Sequence, residues 1–279
     1  MEFAGQYKAV KKKKILVVSF GTKYQETREN TIGAIERKLG KVFSDYDVHR
    51  SFTSQTVIRL IEQAEGMKVD SVSEAMESFV KEGAEQVVVL PTHFMDGREY
   101  HKLVEQVQCF QNEIADIRIG SPFVREDSEE DKKDVCRALA TFTQKYRDEK
   151  TAVCLMGHGT DVKANRIYAR MQEIFRESGL HDLYIGTVEA YPKAEDVLRQ
   201  LRKKQYSRVV LEPLMIVSGD HAIHDMAGDG EASWKSLFEK EGYEVDCVLK
   251  GMGEIVEIRD IFVRHAEELI RSSGNGVTV

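Results

Sequence analysis

No stretch of this chain approaches the ~20 consecutive apolar residues needed to span a bilayer, so no membrane-embedded helix is expected. The opening residues, Met1-Glu2-Phe3-Ala4-Gly5-Gln6-Tyr7, lack the apolar core of a secretory signal. Cysteine is sparse. Cys109, Cys136, Cys154 and Cys247 are scattered and form no CxxC pair, which argues against a disulfide framework or a cysteine zinc site and fits a reduced cytoplasm. Three familiar signatures are also missing. Without a GxxxxGK[ST] loop there is no phosphate cradle for ATP-driven chemistry. No GxGxxG fingerprint follows the first apolar run, which argues against a dinucleotide site, and no GxSxG elbow offers a serine nucleophile. Positive charge is in deficit too: the formal net charge is -7, which disfavours a general nucleic-acid surface. The local basic run Lys11 to Lys14 immediately precedes Ile15-Leu16-Val17-Val18 and reads as a solvated entry to a strand.

What is present is a globular composition, 42% hydrophobic and 31% charged over 279 residues, enough to bury one large core or two of ordinary size. Apolar runs alternate with helix-period segments, the pattern of a parallel sheet with crossover helices. The two halves also resemble each other. Ile15-Leu16-Val17-Val18-Ser19-Phe20-Gly21-Thr22 parallels Ala152-Val153-Cys154-Leu155-Met156-Gly157-His158-Gly159-Thr160, with the Gly-Thr pairs in register. Each leads into an amphipathic stretch, Glu26 to Leu39 and Ala164 to Glu177. Val87-Val88-Val89-Leu90-Pro91 before Gly97 parallels Val209-Val210-Leu211-Glu212-Pro213 before Gly219, with six residues from proline to glycine in both. A middle strand over Tyr46 to Thr53 matches Leu183 to Glu189. The expected fold is therefore α/β: two similar α/β domains, each a parallel sheet flanked by helices, related by internal duplication, with a cleft between them. The N-terminal domain is expected over 1–135 and the C-terminal domain over 136–255. A helix from Glu129 to Tyr146 connects the halves. The amphipathic segment within 256–279 can return to pack on the first domain.

Glycine-bracketed histidines mark the second half: Gly157-His158-Gly159 and Gly219-Asp220-His221, with Val188-Glu189-Ala190 between them. Strands ending in glycine and then presenting a polar side chain build sites at the carboxyl ends of open α/β sheets. Two imidazoles and a carboxylate suit Co²⁺, Ni²⁺, Fe²⁺ or Zn²⁺ and supply a base for proton removal. On the internal matching, His158 stands opposite Phe20, Glu189 opposite Thr53 and His221 opposite Glu99. The candidate ligands thus belong to one copy only. Residues needed merely for the fold would recur in both halves, so the asymmetry favours a site over histidines that simply cap strand ends. They stand 31 and 32 residues apart, so the fold must assemble them. His224 can join if its segment is helical. His93 ends a first-copy strand and can line the cleft, while His49, His101, His181 and His265 read as surface or packing residues. Trp234 and Phe238 read as a buried helix face.

Ser19-Phe20-Gly21-Thr22, Gly157-His158-Gly159-Thr160, Val188-Glu189-Ala190-Tyr191-Pro192 and Gly219-Asp220-His221-Ala222 with Asp225-Met226 together resemble the anaerobic-pathway sirohydrochlorin cobalt chelatases. The likeness runs from about Lys14 to Ile270. It implies the class II chelatase fold and ATP-independent insertion of Co²⁺ into sirohydrochlorin, or a precorrin-2-type tetrapyrrole, during oxygen-independent cobalamin synthesis. It implies that His158, Glu189 and His221 hold the metal, and that His158 is the proton acceptor. Phe20, Gly21, Thr22, His93 and Gly97 are the expected tetrapyrrole contacts from the first half. Backbone N–H groups near Phe20-Gly21-Thr22 and Gly97-Arg98 are candidate receivers of its carboxylates, and Phe20 and Phe94 are placed to face the macrocycle or to pack in the core. Two positions depart from the family pattern: Val162 where a second histidine is common, and His224 where asparagine is. The competing expectations are an iron or nickel chelatase with the same machinery, and a tetrapyrrole or metal carrier without turnover. A homo-oligomer is compatible with the sequence; a nucleic-acid or membrane partner is not expected.

Overall fold

A computed structural model describes residues 11–272 and 276–277. Residues 1–10, which include the opening heptapeptide, and 273–275 and 278–279 of the C-terminal segment lie outside the described residues. The first half runs β1 (Lys13–Ser19), α1 (Gln25–Asn30), α2 (Ile32–Val42), β2 (Asp47–Phe52), α3 (Gln55–Glu65), α4 (Val72–Lys81), β3 (Gln86–Pro91), α5 (Arg98–Gln108) and β4 (Asp116–Ile119). α6 (Glu129–Thr143) leads to the second half: β5 (Thr151–Gly157), α7 (Arg166–Glu177), β6 (Leu183–Thr187), α8 (Ala194–Leu201), β7 (Arg208–Pro213), α9 (Trp234–Lys240) and β8 (Glu244–Cys247). α10 (Val256–Arg271) and the short β9 (Gly276–Val277) follow.

Two parallel sheets result, ordered β2-β1-β3-β4-β9 and β6-β5-β7-β8. Leaving β9 aside, the strand order is the same in both, as expected of one unit used twice. β1 and β5 are central and almost wholly apolar because both of their faces are covered by helices. Their alternate residues feed different cores. Ile15 and Val17 join Val153 and Leu155 in one apolar cluster between the sheets, together with residues of α2, α6, α7 and α10. Leu16 and Val18 face the outer helices α4 and α5, while Ala152, Cys154 and Met156 face α8 and α9, including Trp234 and Phe238. Each fully buried Ile, Leu or Val contributes about 1.5–3 kcal/mol, so the shared middle layer holds the halves together. α10 packs on α2, β3 and β4 of the first half and on α6.

Local signals set the helix ends. Ser54 caps α3 by accepting from Val57 N at 3.3 Å, and Gly66 ends that helix with φ +64°. Ser71 and Glu74 form a capping box on α4. The amphipathic stretch Glu26 to Leu39 is divided between α1 and α2 at Thr31, whose hydroxyl donates to the Thr27 carbonyl at 2.6 Å. The basic run is exposed at Lys11, Lys12 and Lys13, as expected of a solvated strand entry, but not at Lys14. Lys14 is fully buried, 3.1 Å from Asp47 and 2.6 Å from Glu82. Lys11 donates to the carbonyls of Ser44 and Tyr46, and Lys12 to those of Glu82 and Gly83. The run is thus a set of ties across the amino end of the first sheet.

Candidate metal centre

The strand order of the second sheet explains where its polar side chains go. β5 lies between β6 and β7, and the crevice beyond the carboxyl ends of three adjacent parallel strands is where an open α/β sheet holds a ligand. His158 is the first residue beyond β5, Glu189 lies two residues beyond β6, and His221 stands on the loop leaving β7. Their candidate ligand atoms all lie within 4.8 Å of one another.

Backbone ties hold the first two together. Val188 N donates to the Gly157 carbonyl at 3.0 Å and Glu189 N to the His158 carbonyl at 2.9 Å, so the loops after β5 and β6 are zipped side by side. Asn165 adds a clamp: its Oδ1 accepts from Thr160 N at 3.0 Å and its Nδ2 donates to the Tyr191 carbonyl at 2.6 Å. Gly159 makes this closeness possible. Its φ is +85°, and a Cβ there would stand 2.8 Å from the Thr187 side chain and 2.9 Å from Ala190 N, space and conformation that only glycine tolerates. Gly21, the first-half counterpart, has φ +97° with the Phe52 ring 2.5 Å from such a Cβ.

His221 is placed differently. Beyond β7, residues 214–217 are not strand but run beside residues 252–253, with Met252 N and Gly253 N donating to the Met215 and Ile216 carbonyls. A π-helical turn, His221–Met226, follows, closed by Ala227 N on the Ala222 carbonyl at 3.1 Å. Such turns occur frequently at functional sites. Ala222 and Met226 anchor it in the outer core, and His221 at its start meets the His158 ring.

The two rings meet edge to face, with centroids 4.7 Å apart and planes perpendicular. His158 Nδ1 lies 2.9 Å from the Gly159 carbonyl and 3.7 Å from Glu189 Oε2. A carbonyl only accepts, so Nδ1 carries the hydrogen and Nε2 keeps its lone pair. His221 Nδ1 lies 2.6 Å from Asp225 Oδ2, which likewise leaves Nε2 as the available donor. With metal–ligand bonds of about 2.1 Å, two donors on one ion stand no more than about 4.2 Å apart. The three side chains are close enough to share one ion after small adjustments, and those of His158 and Glu189 are about half exposed. This arrangement can take an ion from solvent and give it up again.

The remaining expected residues are distributed unevenly. Phe20 is 51% exposed, on a loop with Gly21 and Thr22 that approaches Gly219: a Cβ on that glycine would lie 3.7 Å from Thr22 Oγ1. His93 follows β3, but both ring nitrogens are sealed from solvent without hydrogen-bond partners. Burial, opposed only weakly by Glu99, pushes its pKa down to about 4, so the ring is neutral. Phe94 stacks on Tyr168 at 5.7 Å and belongs to the packing. Gly97 precedes α5 as its N-cap. His224 does lie on a helical turn, yet its Nε2 points back toward Asp220 at 3.7 Å, and it is not in the ligand group. The contacts of Asp225 and Asn165 are not anticipated from the sequence. The i,i+4 spacing of His221 and Asp225 signals that contact once the segment is helical; Asn165 gives no such signal, because one of its two partners, Tyr191, is remote in the chain.

Comparison with known proteins places this geometry in a family. The family described as Cobalt chelatase (CbiK) matches residues 13–271. A sirohydrochlorin cobaltochelatase of Salmonella typhimurium is 35% identical over 259 residues, covering 93% of this chain and 97% of that protein. The sirohydrochlorin cobaltochelatase CbiKC of Nitratidesulfovibrio vulgaris is 29% identical over 262 residues, covering 93% and 91%. Among solved structures, SirB from Bacillus subtilis with Fe3+ shares the fold with a TM-score of 0.64 at 15% identity, over 94% of this chain and 96% of that one. A two-half α/β fold, a His-Glu-His group at the carboxyl ends of the second sheet and a family match spanning almost the whole chain lead to one conclusion: the chain belongs to the cobalt chelatase (CbiK) family.

Proposed function

We propose that this protein inserts Co²⁺ into sirohydrochlorin without a nucleotide cofactor, in oxygen-independent cobalamin synthesis, with the tetrapyrrole lying between the two halves. The observation that carries the reading is the convergence of His158, Glu189 and His221 within 4.8 Å in a chain of this family. The relatives' names supply the metal and the substrate; the donor set alone also suits Fe²⁺ and Ni²⁺.

The chemistry requires two inner N–H protons of the macrocycle to leave as a divalent ion enters. The Nε2 atoms of His158 and His221 and the Glu189 carboxylate hold the incoming ion. As macrocycle nitrogens replace these donors, the His158 Nε2 lone pair is released and accepts one pyrrole proton. The second proton passes to water by way of the exposed Glu189 carboxylate. His158 can perform this exchange because its other nitrogen is fixed on the Gly159 carbonyl, which keeps the ring oriented in either protonation state. A tight, closed metal site would trap the ion; donors left partly exposed to solvent favour transfer. The four free cysteines support a cytoplasmic setting, and no helix of the described residues is long and apolar enough to cross a membrane.

The test is anaerobic steady-state spectroscopy with sirohydrochlorin and, separately, Co²⁺, Fe²⁺ and Ni²⁺, against metal-only controls. Catalysis fastest with Co²⁺ is expected. A preference for Fe²⁺ would move the protein to siroheme synthesis, and binding without acceleration by any metal would make it a carrier.

A further inference from the structure

Two first-half cations are already paired with second-half carboxylates. Lys23 Nζ lies 2.9 Å from Asp220 Oδ1, and Tyr24 Oη donates to the same oxygen at 2.8 Å. Arg98 Nη2 lies 2.7 Å from Asp161 Oδ2. The positions of these pairs share a logic. Lys23 stands on the loop after β1 and Arg98 opens α5 after β3, whereas Asp220 immediately precedes His221 and Asp161 lies three residues beyond His158. Each pair therefore joins a first-half cation to a carboxylate on a loop carrying a metal ligand.

Neither pair is built as a permanent bond. Arg98 and Asp161 are 74% and 71% exposed, and Lys23 and Asp220 are 38% and 57% exposed. Exposed ion pairs contribute about 1 kcal/mol or less, so an entering carboxylate can replace the aspartate at little cost. The presenting backbone, by contrast, is held firmly. The buried Arg28 spans from Glu65, at 2.5 Å, to the Thr22 carbonyl, at 3.3 Å, behind the Lys23 loop. Half-exposed Phe20 on the same loop offers apolar surface beside that charge.

We propose that Lys23 and Arg98 receive peripheral carboxylates of the tetrapyrrole, and that Asp220 and Asp161 occupy those cations in the free protein. This rests on the reading that sirohydrochlorin lies between the halves. It explains how a chain of net charge -7 admits a carboxylate-rich substrate: the attracting charges sit at the rim, and their resting partners lie on the loops that must part to admit it.

The test is anaerobic fluorescence titration of the full chain with metal-free sirohydrochlorin. Arg98→Met and Lys23→Met should each raise the Kd about fivefold, whereas Asp161→Asn should lower it by a similar factor, because Arg98 is then uncontested. Glu77→Gln on the outer helix α4 controls for the change in net charge and should leave the Kd unchanged. A merely structural clasp would give both members of a pair the same sign, so equal effects of Arg98→Met and Asp161→Asn, or no effect of Arg98→Met, would overturn the assignment. His158→Trp places a bulky ring beside the His-Glu-His group and tests whether the tetrapyrrole binds there. Wild-type binding by that variant would displace the substrate from the cleft altogether. Binding lost in His158→Trp but unchanged in Arg98→Met would overturn the anchors alone.

Discussion

His221 Nδ1 and Asp225 Oδ2 stand 2.6 Å apart, four residues along the same π-helical turn. A carboxylate behind a metal-binding imidazole fixes its tautomer and ring orientation and raises its basicity as a ligand. Asp225→Ala should therefore raise the KM for Co²⁺ by about 10- to 100-fold while leaving the Kd for sirohydrochlorin near wild type. Asp225→Asn keeps an acceptor for Nδ1–H but loses the charge, so its effect should fall between the two. Steady-state kinetics at varied Co²⁺ separates these variants, and an unchanged KM in Asp225→Ala would remove Asp225 from the metal centre.

His158→Ala should lower kcat by about 10²-fold or more, the usual scale for a positioned proton acceptor. The side chain is half exposed, so stability should change by no more than about 0.5 kcal/mol. Metal-free sirohydrochlorin should still bind. Insertion kinetics and denaturant unfolding of the same preparation check both halves of this expectation.

Gly159→Ala should harm the site indirectly. The added methyl meets Thr187 and Ala190 N while the backbone holds φ +85°, a conflict that costs on the order of 1–3 kcal/mol. Relief requires the loops after β5 and β6 to part, which separates His158 from Glu189. The expected result is a lower denaturation midpoint together with a lower kcat. A variant with wild-type values for both would show that the close approach of these loops is dispensable.

These sites differ in how far the sequence exposes them. His158, Glu189 and His221 follow apolar runs, two of them bracketed or preceded by glycine, and such runs become adjacent strands whose carboxyl ends coincide. The fold could be read for the same reason: strand and helix periods recur in the same order in both halves, and the observed strand orders match. Asp161 and Asp220 were hidden because their partners, Arg98 and Lys23, lie in the other half, and no local period reports such a pairing. Lys14 misled for a related reason. A lysine before a strand is usually solvated, and only the tertiary positions of Asp47 and Glu82 allow its burial. His93 reads like any strand-end histidine, but burial sealed its nitrogens.

Glu212 gives the protein a pH-dependent stability separate from its chemistry. It lies fully buried on β7, with Oε2 lacking a hydrogen-bond partner. Burial, only partly offset by Lys145 and Lys250, raises its pKa from 4.5 to about 8. Below pH 4.5 both folded and unfolded states are protonated there. Between pH 4.5 and about 8 the unfolded chain releases a proton that the folded state retains, so stability falls as pH rises. Above about pH 8 the folded state carries the full penalty, on the order of a few kcal/mol. Glu212→Gln removes this titration and should be more stable relative to wild type at about pH 8.5 than at about pH 5. Denaturant unfolding at both values checks it, and an equal difference at the two pH values would contradict it.

Transfer of Co²⁺ from the His158, Glu189 and His221 group into a tetrapyrrole can be followed directly. Its most direct test is multiple-turnover, anaerobic metallation of sirohydrochlorin by Co²⁺, followed spectroscopically with wild type and His158→Ala side by side. Many products per wild-type molecule are expected, with a rate near the metal-only background for a folded His158→Ala protein. Wild-type rates in that variant would contradict the proposed role of His158, and a single product per wild-type molecule would contradict catalysis itself.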